Sequence, residues 1–119
     1  MSESATVQRI RAQLNQNPVL LYMKGSPMQP RCGFSAKLVD ILKQLQVQYA
    51  YVDVLENPDI RAELPGYASW PTFPQLYINQ ELIGGCDIVS ELYANQSLAL
   101  QLEAIHATNP QAVPCAAIE

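Results

Sequence analysis

The apolar positions switch between helical and strand-like spacing along the chain. Val7, Ile10 and Leu14 recur at helical intervals behind Ser4, which predicts a capped amphipathic helix ending at Asn17-Pro18. Val19-Leu20-Leu21-Tyr22-Met23 is an unbroken apolar run between turn residues, the pattern of a buried strand. A loop rich in Gly and Pro follows, from Gly25 to Arg31. Ala36, Val39 and Leu42, with Leu38 and Leu45, predict a helix over about 33–45. Tyr49 to Val54 predicts a second strand. Asn57-Pro58 predicts the next helix start, with Asn57 as cap and Pro58 in the first turn. Ile60, Leu64 and Tyr67 continue that helix, and Pro71-Thr72-Phe73-Pro74 breaks it. Gln75 to Ile78 and Glu81 to Gly84 predict a hairpin turning at Asn79-Gln80. Asp87 is the expected cap of a helix through Ile88, Leu92 and Tyr93, and a last helix spans about 98–106. The small residues and prolines from Thr108 to Glu119 predict a fraying tail.

Alternating helix and strand in the first half requires a parallel strand pair joined by a crossover helix. The hairpin then adds antiparallel strands. The expected architecture is α/β, a mixed four-stranded sheet flanked by helices. It forms one domain over 1–107 with a flexible tail over 108–119. A chain of 119 residues suits one domain.

Charge and composition narrow the function. With 7 Lys and Arg against 11 Asp and Glu, the net charge is −4, and the few basic residues are scattered. A phosphate-backbone binder needs a clustered basic surface, so nucleic acid is not an expected partner. No apolar run reaches the roughly 20 residues of a membrane span. No secretory h-region is evident before Gln16. The expected location is the cytoplasm. Three cysteines without framework spacing point to a free thiol rather than a disulfide scaffold.

Cys32 is the candidate for chemistry. It follows the first strand and opens a helix, where unpaired N–H groups and partial positive charge favour a thiolate. Lys24 and Arg31 add positive charge in sequence. A thiolate serves as nucleophile and as metal ligand, so thiol exchange and metal binding both remain open. A buried, inert cysteine is the competing reading. The surrounding Pro, Arg, Gly and Ser argue against it. Cys32 to Ser35 resembles the C-x-x-C of the thioredoxin superfamily, with Ser35 replacing the second cysteine. A hydroxyl cannot resolve a mixed disulfide, so exchange must use another thiol.

Cys32-Gly33-Phe34-Ser35 resembles the signature of the monothiol CGFS glutaredoxins. Leu21-Tyr22-Met23-Lys24-Gly25, Trp70-Pro71-Thr72-Phe73-Pro74-Gln75 and Gly84-Gly85-Cys86-Asp87 extend the likeness over about residues 4–107. The closest likeness is to the short single-domain bacterial type. The resemblance implies a thioredoxin fold and a glutathione groove beside Cys32. In it, Lys24 contacts glutathione and supports the thiolate, and Arg61 pairs with the glycine carboxylate. Phe73, before a cis Pro74, pairs by its backbone with the cysteinyl part. Cys86 and Asp87 receive the γ-glutamyl end. The resemblance also implies a [2Fe–2S] cluster held by a homodimer, with Cys32 of each protomer and two glutathione thiolates completing a four-thiolate set. A BolA-like protein is an implied alternative partner, and iron–sulfur acceptor proteins are implied recipients.

Rival readings stay open at this level. A glutathione-dependent disulfide reductase would use the same Cys32, and a regulatory binding module would act through a BolA-like partner. Cys86 is either a resolving thiol or a residue used through its backbone. A zinc site from Cys32, Cys86, Cys115 and His106 has the right ligand number but no supporting close pair.

Overall fold

The structure is a computed structural model, and it describes residues 3–108 and 115–118. The expected elements form, with three short strands added. In order they are α1 (Ala5–Gln16), β1 (Val19–Met23), β2 (Gly25–Ser26), β3 (Gln29–Pro30), α2 (Gly33–Gln44), β4 (Tyr49–Asp53), α3 (Pro58–Ala68), β5 (Gln75–Ile78), β6 (Glu81–Gly84), α4 (Cys86–Ala94), α5 (Ser97–Ala104) and β7 (Cys115–Ala117).

β1 is the centre of the molecule. It runs parallel to β4 and antiparallel to β5, and the sheet order is β6-β5-β1-β4-β7. All five of its side chains are buried. Strand alternation explains why the run is apolar throughout: Val19, Leu21 and Met23 join one core, while Leu20 and Tyr22 join another. The first core lies under α2, α4 and α5, with Leu38, Leu42, Val89, Leu98 and Leu102. The second lies under α1 and α3, with Ile10, Leu14, Ile60 and Leu64. Each large apolar side chain so buried contributes about 1.5–3 kcal/mol.

Several sequence signals act as expected. The Ser4 hydroxyl accepts from the Val7 N–H and caps α1. Asn79 and Gln80 both take left-handed backbone, at φ 49° and 70°, as a tight primed hairpin turn requires.

Others are corrected. The buried stripe of α2 is Ser35, Leu38, Ile41 and Leu42, whereas Ala36 is exposed and Val39 only flanks the core. Asn57 stands at the cap position of α3, but its side chain does not cap. Its Nδ2 donates to the Asp53 carbonyl at 2.9 Å, and its Oδ1 accepts from Arg9 at 3.0 Å. Gly85, not Asp87, caps α4, and Asp87 sits within the first turn. The sheet has five strands rather than four, because Cys115–Ala117 pairs parallel with β4. That segment was expected to fray with the rest of 108–119. Of that tail, 109–114 and 119 lie outside the described residues.

Candidate functional site

Chain leaving β1 builds one wall of a groove. The Lys24 N–H donates to the Ser35 hydroxyl at 3.2 Å, and the Lys24 carbonyl accepts from the Arg31 N–H at 2.9 Å. The next N–H, of Gly25, donates to Asp53 Oδ1 at 2.9 Å. Gly25 has φ +90°, and a Cβ there would lie 2.6 Å from the Gln29 carbonyl oxygen. Only glycine fits that turn. β2 and β3 then form a short ribbon that returns the chain to Cys32.

Cys32 occupies the cap position of α2 in extended backbone, at φ −151° and ψ 138°. Its carbonyl accepts from the Ala36 N–H at 2.9 Å, so the helix starts directly behind the thiol. The thiol is held below the ordinary cysteine pKa, chiefly by the backbone N–H of Ser35. Burial opposes this, while the Phe34 N–H, the Lys24 charge and the Ser35 hydroxyl support it. Donors at a helix start thus stabilise the thiolate. Ser35 is fully buried, and its hydroxyl serves both the Lys24 backbone and Cys32.

The facing wall comes from the end of α3 and the start of β5. The Phe73–Pro74 peptide bond is cis. Phe73 stays outside the sheet ladder, which begins at Gln75 opposite Tyr22. Gln75, fully buried, donates from Nε2 to the carbonyls of Trp70 at 3.1 Å and Thr72 at 3.3 Å. Its Oε1 accepts from the Tyr77 hydroxyl at 2.9 Å.

The floor is the turn from β6 into α4. A Cβ on Gly85 would meet the Pro74 carbonyl at 3.2 Å and the Trp70 ring nitrogen at 3.4 Å. Cys86 begins the helix and is 7% exposed, with its sulfur 4.0 Å from the Ser90 hydroxyl. Asp87 is exposed one residue later.

Together these walls enclose a groove of about 630 Å³, a volume suited to a ligand of small-peptide size. All six residues singled out from the sequence line it: Cys32, Lys24, Arg61, Phe73, Cys86 and Asp87. The zinc set does not assemble. His106 lines a separate cavity at Asn17, Gln48 and Ala107, and no three His, Cys, Asp or Glu among the described residues group as metal donors. The Cys115 side chain lies outside the described residues. No helix among the described residues is long and apolar enough to cross a membrane.

A protein-family model described as Glutaredoxin matches residues 19–83. The chain belongs to the glutaredoxin family. It is similar to Glutaredoxin 4 of Pasteurella multocida strain Pm70, with 52% identity over 89% of this chain and 97% of that protein. It is also similar to Glutaredoxin 4 of Escherichia coli strain K12, with 59% identity over 80% of this chain and 83% of that protein. Among solved structures, reduced apo GrxS14 of poplar superposes with a TM-score of 0.74 and 42% identity, covering 87% of this chain and 95% of that one. A glutaredoxin of thioredoxin-type fold is therefore established, in agreement with the mixed sheet and flanking helices.

This glutaredoxin has groove residues that the sequence pattern did not single out. Trp70, Thr72, Phe34 and Ile88 all line it. Trp70 and Thr72 stood inside a recognised motif without a role. Phe34 is 61% exposed beside Cys32, and Met28 is 93% exposed in the turn between β2 and β3. Of the two, Phe34 lines the groove, and its exposure there is a signal visible only after folding.

Proposed function

We propose that this glutaredoxin binds glutathione in the groove and, as a pair of protomers, carries a [2Fe–2S] cluster to iron–sulfur acceptor proteins. The observation that carries this reading is a stabilised Cys32 thiolate at a groove where the second cysteine, Cys86, is buried and no three His, Cys, Asp or Glu among the described residues group as metal donors. One protomer offers one thiolate. A four-thiolate cluster then needs a second protomer and two external thiols, and glutathione has the chemistry the groove suits. Lys24 and Arg61 offer cations for its carboxylates. The first-turn N–H groups of α4 suit a further carboxylate, and Asp87 suits the ammonium. The backbone of Phe73, outside the ladder, suits an extended peptide. As cargo, the cluster supplies iron and sulfide to the recipient. The chain's own part is to hold two glutathiones and two Cys32 thiolates in an exchangeable set. A BolA-like protein in place of the second protomer rests on the family likeness, and co-purification tests it. A reducing compartment such as the cytoplasm suits the free thiols of Cys32 and Cys86.

The lowered pKa of Cys32 favours a second reading, removal of glutathione from protein mixed disulfides. The Cys32 thiolate would attack the glutathione sulfur, and the protein thiolate would leave. A second glutathione thiolate would then attack the Cys32 mixed disulfide and release glutathione disulfide, because Ser35 cannot.

Anaerobic purification with glutathione separates the two. The carrier is expected to be coloured, with cluster absorption bands and a native mass of two chains. A colourless monomer with brisk glutathione-dependent disulfide reduction would overturn the carrier reading.

A further inference from the structure

The two cations of the groove come from distant places in the sequence, yet one hydrogen-bonded hub ties them together. Asp53, the last residue of β4, is not itself among the residues that line the groove. Its Oδ1 accepts from the N–H of Gly25 at 2.9 Å and from the N–H of Leu55 at 2.9 Å. That fixes the residue directly after Lys24. Its backbone carbonyl accepts from Asn57 Nδ2 at 2.9 Å and from the Glu56 N–H at 3.1 Å. Asn57 in turn gives its carbonyl to the Arg61 N–H at 3.0 Å, one turn into α3. On the outer side, Arg9 of α1 holds Asn57 Oδ1 at 3.0 Å and both carboxylate oxygens of Asp59, at 2.9 and 3.3 Å. Thr6 adds a bond to Asp59 at 2.8 Å.

The alternative is that Asp53 merely ends a strand. A strand end needs one local turn bond, which Leu55 already supplies. The bond to Gly25 crosses 28 positions. It lands on a residue whose left-handed backbone only glycine tolerates. A carboxylate bonded to backbone N–H groups is the stronger, charge-assisted kind.

We infer that Asp53 is a positioning residue, which with Asn57 sets the separation of Lys24 and Arg61 and so the fit of the groove to the carboxylates of glutathione. This rests on the glutathione reading above and deepens it.

The test uses a built-in reporter. Trp70 is the one tryptophan of the chain and lines the groove, so its fluorescence follows titration with reduced glutathione. The Asp53→Ala change is expected to weaken glutathione binding about tenfold, and to weaken it less than about twofold when Lys24 and Arg61 are already alanine. Asp53→Asn keeps an acceptor oxygen and is expected to restore affinity to within about threefold of the parent. Should Asp53→Ala fail to fold by circular dichroism, Asn57→Ala serves instead. It is expected to weaken binding in the parent and in the Lys24→Ala background, but not in the Arg61→Ala background. Equal losses in all backgrounds, or no loss, would overturn the positioning role while leaving the groove reading intact. A parent chain whose Trp70 signal ignores glutathione would overturn the groove reading and this inference with it.

Discussion

Two cysteines open two helices at the same groove, and their surroundings differ in almost every respect. Cys32 caps α2 at an open lip. A Cβ on the next residue, Gly33, would meet nothing within 4 Å, and Phe34 beyond it is exposed. Cys86 begins α4 at a packed floor. The residue before it, Gly85, is pressed against Trp70 and Pro74, and its own sulfur is buried near Ser90. The Cys32 thiol meets the N–H groups of Ser35 and Phe34, whereas the sulfur of Cys86 meets the Ser90 hydroxyl. The contrast shows that a thiol becomes a working nucleophile where backbone donors and access to the groove coincide, as they do at Cys32.

The sharpest way to break this contrast is to exchange each sulfur for oxygen. Cys32→Ser is expected to abolish the proposed cluster entirely, read as loss of visible absorption after anaerobic reconstitution with glutathione. Cys86→Ser is expected to retain it. A retained cluster in the first variant would remove Cys32 from the ligand set.

Alkylation tests access directly. With iodoacetamide at neutral pH, Cys32 is expected to react at least about tenfold faster than Cys86, which should react fully only after denaturation. Mass mapping of the labelled peptides reads this. The pH midpoint for Cys32 should lie below the ordinary cysteine value, because the folded chain stabilises the thiolate. The same shift means that Cys32 adds stability as pH rises through the window between its folded and unfolded values. That contribution disappears when pH falls below the folded value.

The glycines give the smaller effects. Gly85→Ala places a methyl at 3.2 Å from the Pro74 carbonyl oxygen and is expected to cost about 1–3 kcal/mol in urea unfolding. Gly33→Ala meets open space and is expected to leave stability unchanged or raise it by about 0.5 kcal/mol. Equal costs at the two positions would erase the distinction between lip and floor.

Much of this was legible in the sequence, and the rest has identifiable physical reasons for being hidden. The run from Val19 to Met23 declared a doubly buried strand, since both faces of β1 meet helices. The six expected groove residues converge because each stands at, or within a turn of, the end of a legible element. Asn57 misled because the Asp53 carbonyl four residues back and Arg9 from across the fold outcompete its capping role. Asp87 misled because Gly85 already supplies the helix entry. The ribbon of β2 and β3 was invisible because two-residue strands carry no periodicity, and its support comes from Asp53 across the fold. β7 was invisible for a similar reason: three small residues carry little strand signal, and they take their place from β4.

The central position of β1 also governs when the molecule can be completed during synthesis. Its parallel partner β4 arrives after one crossover helix, but its antiparallel partner ends only at Ile78. Until that residue clears the ribosome, a nascent β1–α2–β4 unit carries an unpaired, apolar strand edge, the kind of template that recruits foreign strands. At about 5–20 residues per second, the stretch from Asp53 to Ile78 leaves that edge open for a few seconds. Emergence of the hairpin therefore closes the open edge of β1, while the outer edge of β4 waits for β7.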